Sequence, residues 1–272
     1  MSSPEIGIKV ITGAFATNLH DMGTGDPVLL IHGSGPGVTA WANWRMTMPA
    51  LSQRYRVIAP DMIGFGYTDR PPGTQYNMAT WTEHAIEVLD ALELQRVHVV
   101  GNSFGGSLAL SLAINHPDRV DKLVLMGSVG VQFEITPALD AVWGYTPSVT
   151  SMANLLTMFS YDQSMIGPDL AELRYRASIQ PGFQEAFASM FPAPRQAALD
   201  AMTHDESAIA ALKNQTLIIH GREDRVIPPA TSQRLFELIS HSELHLFGRC
   251  GHWTQLEHSA RFNALVADFL AF

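Results

Sequence analysis

The stretch Val97-His98-Val99-Val100-Gly101-Asn102-Ser103-Phe104-Gly105-Gly106-Ser107-Leu108 decides the fold. A valine-rich run too short for a helix meets a Gly-x-Ser-x-Gly turn, and an apolar stretch of helical character continues to about His116. The bare pattern also arises by chance, and its placement between strand and helix is what gives it weight. Strand, sharp turn and helix in that order project a serine hydroxyl from the end of a strand. Such a turn leaves no room for side chains at Gly101 and Gly105, where neighbouring backbone passes. Ser103 then stands at a helix N-terminus, whose dipole favours a developing anion.

Outward from that turn, similar short runs recur at Val28–Ile31, Val57–Pro60, Lys122–Met126, Leu217–Ile219 and Leu244–Phe247. Helical patterns separate them, which is the signature of a mainly parallel sheet covered by helices. Ile8–Ile11 and Phe15–His20 read as an antiparallel pair ahead of it. Thr80 and Glu83 read as a capping box opening a crossover helix whose Ala85, Val88, Leu89 and Leu92 share one face. From about Gln132 to Lys213 no buried-strand run appears, and prolines at 147, 168, 181, 192 and 194 divide helical stretches such as Leu170–Ile179. The expected organisation is a sheet domain formed by 1–131 and 214–272, interrupted by a helical lid over 132–213.

Composition narrows the function. With 46% apolar and 16% charged residues in 272, the chain has material for a substantial core. A formal charge of -9 without clustered Lys and Arg argues against nucleic acid as a partner. The one cysteine, Cys250, has no partner within the chain, and the opening MSSPEIGIKV lacks the basic end and long apolar run of a signal peptide, so the expected location is the cytoplasm. Apolar stretches such as Leu108–Ile114 fall far short of the roughly 20 residues a membrane span requires, so no membrane partner is expected. No His, Cys or carboxylate cluster has ligand spacing, so neither metal nor other cofactor is expected. A homo-oligomer is compatible with the sequence.

A serine hydroxyl needs a base to take its proton. Among eleven histidines, His252 follows the last strand run in the short loop Gly248-Arg249-Cys250-Gly251, ahead of a C-terminal helix, which brings it to the edge where the serine turn lies. His258 is the nearest competitor. The imidazole needs a carboxylate at a neighbouring strand end, and Asp224, in Gly221-Arg222-Glu223-Asp224, meets that need, with Glu223 as the alternative. The order Ser103, Asp224, His252 is the one shown by the α/β-hydrolase fold. The turn His32-Gly33-Ser34-Gly35-Pro36-Gly37 after Val28–Ile31 is where an oxyanion hole belongs, with the backbone N–H groups of Ser34 and Phe104 as its donors. A phosphate-binding reading of that turn lacks both the Rossmann spacing and a P-loop lysine. His32 reads as structural.

The chain resembles the meta-cleavage product hydrolases, the carbon–carbon bond hydrolases of aromatic degradation, nearly end to end. The resemblance is carried by LLIHGSGPGVTAWANWR, APDMIGFGYTDRP, VVGNSFGGSLAL, LDAVWGYTPS, LAELRYRASIQPGFQEAFASMFPAPRQ, HGREDRVIP and HLFGRCGHWTQLEH. It implies hydrolysis of a 2-hydroxy-6-oxo-hexa-2,4-dienoate, a small-molecule substrate, in a pocket lined by Asn43, Asn102, Arg174 and Trp253. Arg176, two residues on, leaves the arginine assignment open. The residues suit that chemistry: an arginine holds a carboxylate and an adjacent oxygen in fixed orientation. Likeness to the monocyclic branch implies a C6 carrying hydrogen or a small alkyl group. Val129 and Ile227, in loops after two strand runs, are expected to wall the C6 side, the alternative being plain core positions. A carboxylesterase of the same fold and a non-catalytic ligand receptor are the competing functions; dehalogenases and epoxide hydrolases of this fold place an aspartate where Ser103 stands.

Overall fold

The computed structural model describes residues 3–272. Among them, eight strands form one sheet: β1 (Ile8–Thr12), β2 (Phe15–Met22), β3 (Pro27–Ile31), β4 (Arg56–Pro60), β5 (Val97–Asn102), β6 (Val120–Met126), β7 (Thr216–Gly221) and β8 (Ser242–Phe247). Their spatial order is β1-β2-β4-β3-β5-β6-β7-β8. β1 pairs antiparallel with β2 and β2 with β4, while β4, β3, β5, β6, β7 and β8 run parallel. Each expected strand run lies inside an observed strand.

The alternating direction of strand side chains builds two apolar layers. Leu29, Ile31, Val99, Leu123 and Leu125 pack on one face with the helices Met78–Ala91 and Phe104–Asn115. Val28, Leu30, Val100, Val124 and Met126 pack on the other with Trp44, Met48, Phe262 and Val266. The helix Phe104–Asn115 buries Phe104 through Ala113 without a break, so it cannot show the one-sided pattern of a surface helix.

One local expectation is corrected. The crossover helix opens at Asn77, whose side chain accepts from the Thr80 amide at 3.0 Å, and Thr80 is its third residue, so Thr80 is not the cap. Asparagine caps as well as threonine does, and Asn77 stands outside the first turn where a cap must be.

Between β6 and β7 the described residues form only helices and turns, the longer helices being Pro137–Trp143, Val149–Phe159, Pro168–Ser178 and Phe183–Met190. No helix among the described residues is long and apolar enough to cross a membrane. Chain order and sheet order part company at β3 and β5: the chain leaves β3 for β4 on one side and reaches β5 on the other. Ligands in open α/β sheets bind at the carboxyl ends of strands where the order reverses in this way.

Candidate active site

Ser103 sits between β5 and the helix that follows, with φ +56° and ψ -114°. A non-glycine residue held there costs roughly 1–3 kcal/mol, and the surroundings over-determine it. Its amide donates to Met126 O at 2.9 Å, and its carbonyl accepts from the Val129 amide at 3.2 Å and the Gly106 amide at 2.9 Å. A methyl group on Gly101 would lie 2.2 Å from Gly105 O, and one on Gly105 would lie 2.3 Å from Ile31 O. The expected steric need for glycine on both sides of the serine therefore has named neighbours.

His252 occupies the loop after β8. Its Nδ1 lies 2.7 Å from Asp224 Oδ2, so Nδ1 carries the proton and Nε2 is left as the base. The His252 amide donates to Phe159 O at 2.7 Å, which ties the histidine to the end of the helix Val149–Phe159. Asp224 Oδ1 accepts from the amides of Val226 at 2.7 Å and Ile227 at 3.0 Å. Desolvation opposes ionisation, but His252 and His220 outweigh it and hold the Asp224 carboxyl far below the usual range. Glu223 turns away to the Cys250 amide at 3.0 Å and to Arg222. His258 lies beside the Arg249 carbonyl instead, at 3.2 Å.

Ser103 and His252 open on one cavity of about 100 Å³. Its polar lining includes Ser34, Asn43, Asn102, Arg45, Arg174 and Gln255, and its apolar lining Leu139, Val142, Met152, Leu156, Phe159, Val226 and Trp253. Asn102 Nδ2 donates to Asn43 Oδ1 at 2.9 Å, as does the Gly33 amide at 3.2 Å. Among the described residues, Asn43 Nδ2 and Asn102 Oδ1 are buried without partners. The Ser34 hydroxyl accepts from Trp143 Nε1 at 3.0 Å. Among the described residues the amides of Ser34 and Phe104 reach no protein acceptor. His32 has both ring nitrogens engaged by backbone, Nδ1 on Gly33 O at 2.7 Å and Nε2 on the Met62 amide at 3.0 Å.

Arg174 reaches the cavity wall from the helix Pro168–Ser178. Its guanidinium pairs with Glu5 Oε1 at 2.8 Å and donates to Gly37 O. Arg176 on the same helix is 72% exposed and pairs with Glu172, outside the cavity. Trp253 stacks on Phe159 with ring centroids 4.9 Å apart.

The chain has relatives among known proteins. Residues 26–259 match the family model for the α/β-hydrolase fold. A 2-hydroxymuconate semialdehyde hydrolase of Pseudomonas sp. strain CF600 is 60% identical over 270 residues, covering 99% of this chain and 95% of that one. A 2-hydroxy-6-oxo-2,4-heptadienoate hydrolase of Pseudomonas putida F1 is 60% identical over 98% of this chain and 97% of its own length. The crystal structure of a meta-cleavage product hydrolase from Pseudomonas fluorescens IP01, complexed with acetates, superposes with a TM-score of 0.98 at 56% identity, covering 99% of both chains. The chain belongs to the meta-cleavage product hydrolases.

Within this meta-cleavage product hydrolase the expected C6 wall is corrected. Val129 and Ile227 are 1% and 0% exposed and lie in the core, off the cavity lining, while Val226 lines it. The loop after β7 curls round Asp224, which turns one of two adjacent branched side chains to the cavity and the other inward. Five residues escaped the sequence reading: Val226, Arg45, Glu5, His220 and Glu257. Glu257 accepts from the amides of Gly251 at 2.7 Å, Tyr161 at 2.8 Å and Asp162 at 2.9 Å, pinning the histidine loop to the inserted helices. His220 carried a signal, standing four residues before Asp224 across a strand end, whereas the pairing of Glu5 with Arg174 across 169 positions carried none.

Proposed function

We propose that this chain hydrolyses the C5–C6 bond of 2-hydroxy-6-oxo-hexa-2,4-dienoate-type ring-cleavage products, with Ser103, His252 and Asp224 as catalytic triad. The observation that carries the reading is one small cavity bearing a serine turn and an aspartate-held histidine beside two unsatisfied asparagines and an arginine. Water and the dienoate give 2-hydroxypenta-2,4-dienoate and a short carboxylic acid. Expelling a carbanion is feasible only into an electron sink. Protonation at C5, with loss of the hydroxyl proton at C2, makes the keto form, and the departing fragment then leaves as a dienolate ending at the C2 oxygen.

Each residue then has one task. Arg174 binds the carboxylate, Asn43 Nδ2 donates to the C2 oxygen, and Asn102 Oδ1 accepts from the C2 hydroxyl before that proton is lost. His252 removes the Ser103 proton as the serine attacks C6, and the amides of Ser34 and Phe104 stabilise the resulting oxyanion. Collapse breaks C5–C6 and leaves an acyl-serine, which water activated by His252 hydrolyses. Segment 132–213 acts as a lid on the core of 1–131 and 214–272, and Trp253 closes the cavity on Phe159. The two relatives at 60% identity are named for substrates with hydrogen or methyl at C6, which supports a small C6 group here. We assign the enzyme to the cytoplasm, where a lone buried thiol stays reduced.

The test compares a chromophoric dienoate with a p-nitrophenyl ester. Wild type is expected to favour the dienoate, and Ser103→Ala to lower its turnover by roughly four orders of magnitude while the protein stays folded. Near wild-type turnover by Ser103→Ala would remove the triad, and preference for the ester would reassign the enzyme as a carboxylesterase.

A further inference from the structure

The contacts around Asp224 continue beyond the triad, on the side away from the cavity. His220, on β7, is fully buried and does not line the cavity, and the reaction above gives it no task. Its Nε2 faces two oxygens, Ile227 O at 3.0 Å and Asp224 Oδ2 at 3.1 Å. A lone pair in that place would meet two acceptors, so Nε2 carries the ring proton and donates it to Ile227 O, with Asp224 Oδ2 beside it. Nδ1 lies 2.6 Å from Ser232 Oγ. In the neutral ring Nδ1 is the acceptor, so the hydroxyl donates and fixes the tautomer. Ser232 is fully buried on the helix Pro229–Leu238.

We propose that Ser232 and His220 are positioning residues that extend the array to Ser232–His220–Asp224–His252–Ser103. Ser232 fixes the tautomer of His220, and His220 holds the Asp224 carboxylate in the plane and charge state that His252 requires. This rests on the triad assigned above.

Three donors bond the carboxylate and a fourth stands against it. Oδ1 takes the amides of Val226 and Ile227, Oδ2 takes His252 at 2.7 Å, and the positive edge of His220 lies against Oδ2 with Nε2 at 3.1 Å. The side chain is fully buried, so no solvent replaces a lost donor. Each donor draws on one negative charge, and loss of the His220 proton leaves more of it directed at His252. The imidazolium is then favoured, and the base is lost at a higher pH. The other titratable groups packed around the carboxylate are Glu223, which is held by Arg222 and the Cys250 amide, and the Cys250 thiol, with Glu257 behind the Gly251 amide.

The experiment measures kcat and KM against pH for wild type, Ser232→Ala, His220→Gln and His220→Ala, on the dienoate and on a p-nitrophenyl ester. Glutamine keeps an N–H where Nε2 stands. Ser232→Ala is expected to lower kcat about threefold and His220→Ala about tenfold, with KM unchanged. Both move the acid limb of kcat/KM to higher pH, and His220→Gln recovers most of the rate and of the limb. A loss equal at every pH, with no movement of the limb, overturns the proposal, as does a glutamine variant as slow as the alanine one. Should His220→Ala fail to fold, Ser232→Ala and His220→Gln decide the matter alone. Wild type active on the ester alone would reject the dienoate assignment while the array is still read on the ester. Dienoate turnover with unmoved limbs would reject the array and leave the substrate standing.

Discussion

Val226 is the residue whose replacement tests the substrate size most directly. Its side chain lines the cavity while its amide donates to Asp224 Oδ1 at 2.7 Å and its carbonyl accepts from Thr136 Oγ1 at 2.8 Å. It lies after β7, whereas Arg174 is anchored on the loop after β3, and β3 and β7 stand three places apart in the sheet. At about 4.8 Å per place, that separates the two walls by roughly 14 Å, with Ser103 at the end of β5 between them. In the binding mode proposed above, a dienoate held by its carboxylate at Arg174 points C6 toward Val226. Because both backbone groups of Val226 are bonded, the wall cannot yield to a ring without pulling on the Asp224 carboxylate. Forcing phenyl into it costs about 1–3 kcal/mol, or roughly tenfold to hundredfold in kcat/KM against hydrogen or methyl, and part of the loss falls in kcat. Val226→Ala removes two carbons, worth about 0.8 kcal/mol each, and is expected to improve the phenyl substrate relative to the others by roughly tenfold. The assay is kcat/KM for 6-hydrogen, 6-methyl and 6-phenyl dienoates in both proteins. A wild type that favours phenyl, or a variant that lowers all three alike, would refute the reasoning.

Arg174→Ala is expected to lower kcat/KM for the dienoate by roughly tenfold to hundredfold, the worth of a charge-assisted contact, and to slow ketonisation in stopped-flow absorbance; an unchanged ketonisation rate and KM would take Arg174 out of substrate binding. Glu257→Ala strands the buried Gly251 amide and releases the exposed amides of Tyr161 and Asp162 to solvent, so the urea midpoint is expected to fall by the equivalent of about 1–3 kcal/mol at constant m, and an unmoved midpoint would contradict the pinning role. Burial lowers the pKa of His32 to about 4 and of His84 to about 3, and raises that of Asp61 to about 7. Below pH 6.5 the unfolded chain takes up two histidine protons that the fold refuses, which destabilises it, while Asp61, protonated only in the fold, works the other way. From pH 6.5 to 5 the net uptake, integrated over the range, costs about 1.4 kcal/mol. His20, His98 and His204, shifted in the same direction as the other two histidines, add to the fall, so equal urea midpoints at the two pH values would rule this out.

Much of this enzyme was legible in its sequence because the requirements there are local. The valine-rich run, the glycines at 101 and 105 and the apolar helix after Ser103 are dictated by sterics within a few residues, and they specify the turn wherever it occurs. The strand runs, the position of His252 after the last of them and the absence of strand runs from 132 to 213 follow equally from short-range pattern. Choices between neighbours were not legible. Asp224 and Glu223 differ by one position and Arg174 and Arg176 by two, and only the turn after β7 decides which carboxylate meets His252, and the docking of the helix Pro168–Ser178 which guanidinium lines the cavity. The same turn sent Ile227 into the core and Val226 to the wall, against expectation, because two amides close on one carboxylate. Glu5 on Arg174, Glu257 on the histidine loop and His220 behind Asp224 depend on the order in which strands assemble. That order brings together segments distant in the chain, so it is the tertiary structure that decides which charges meet, and the sequence that decides which charges are there to meet.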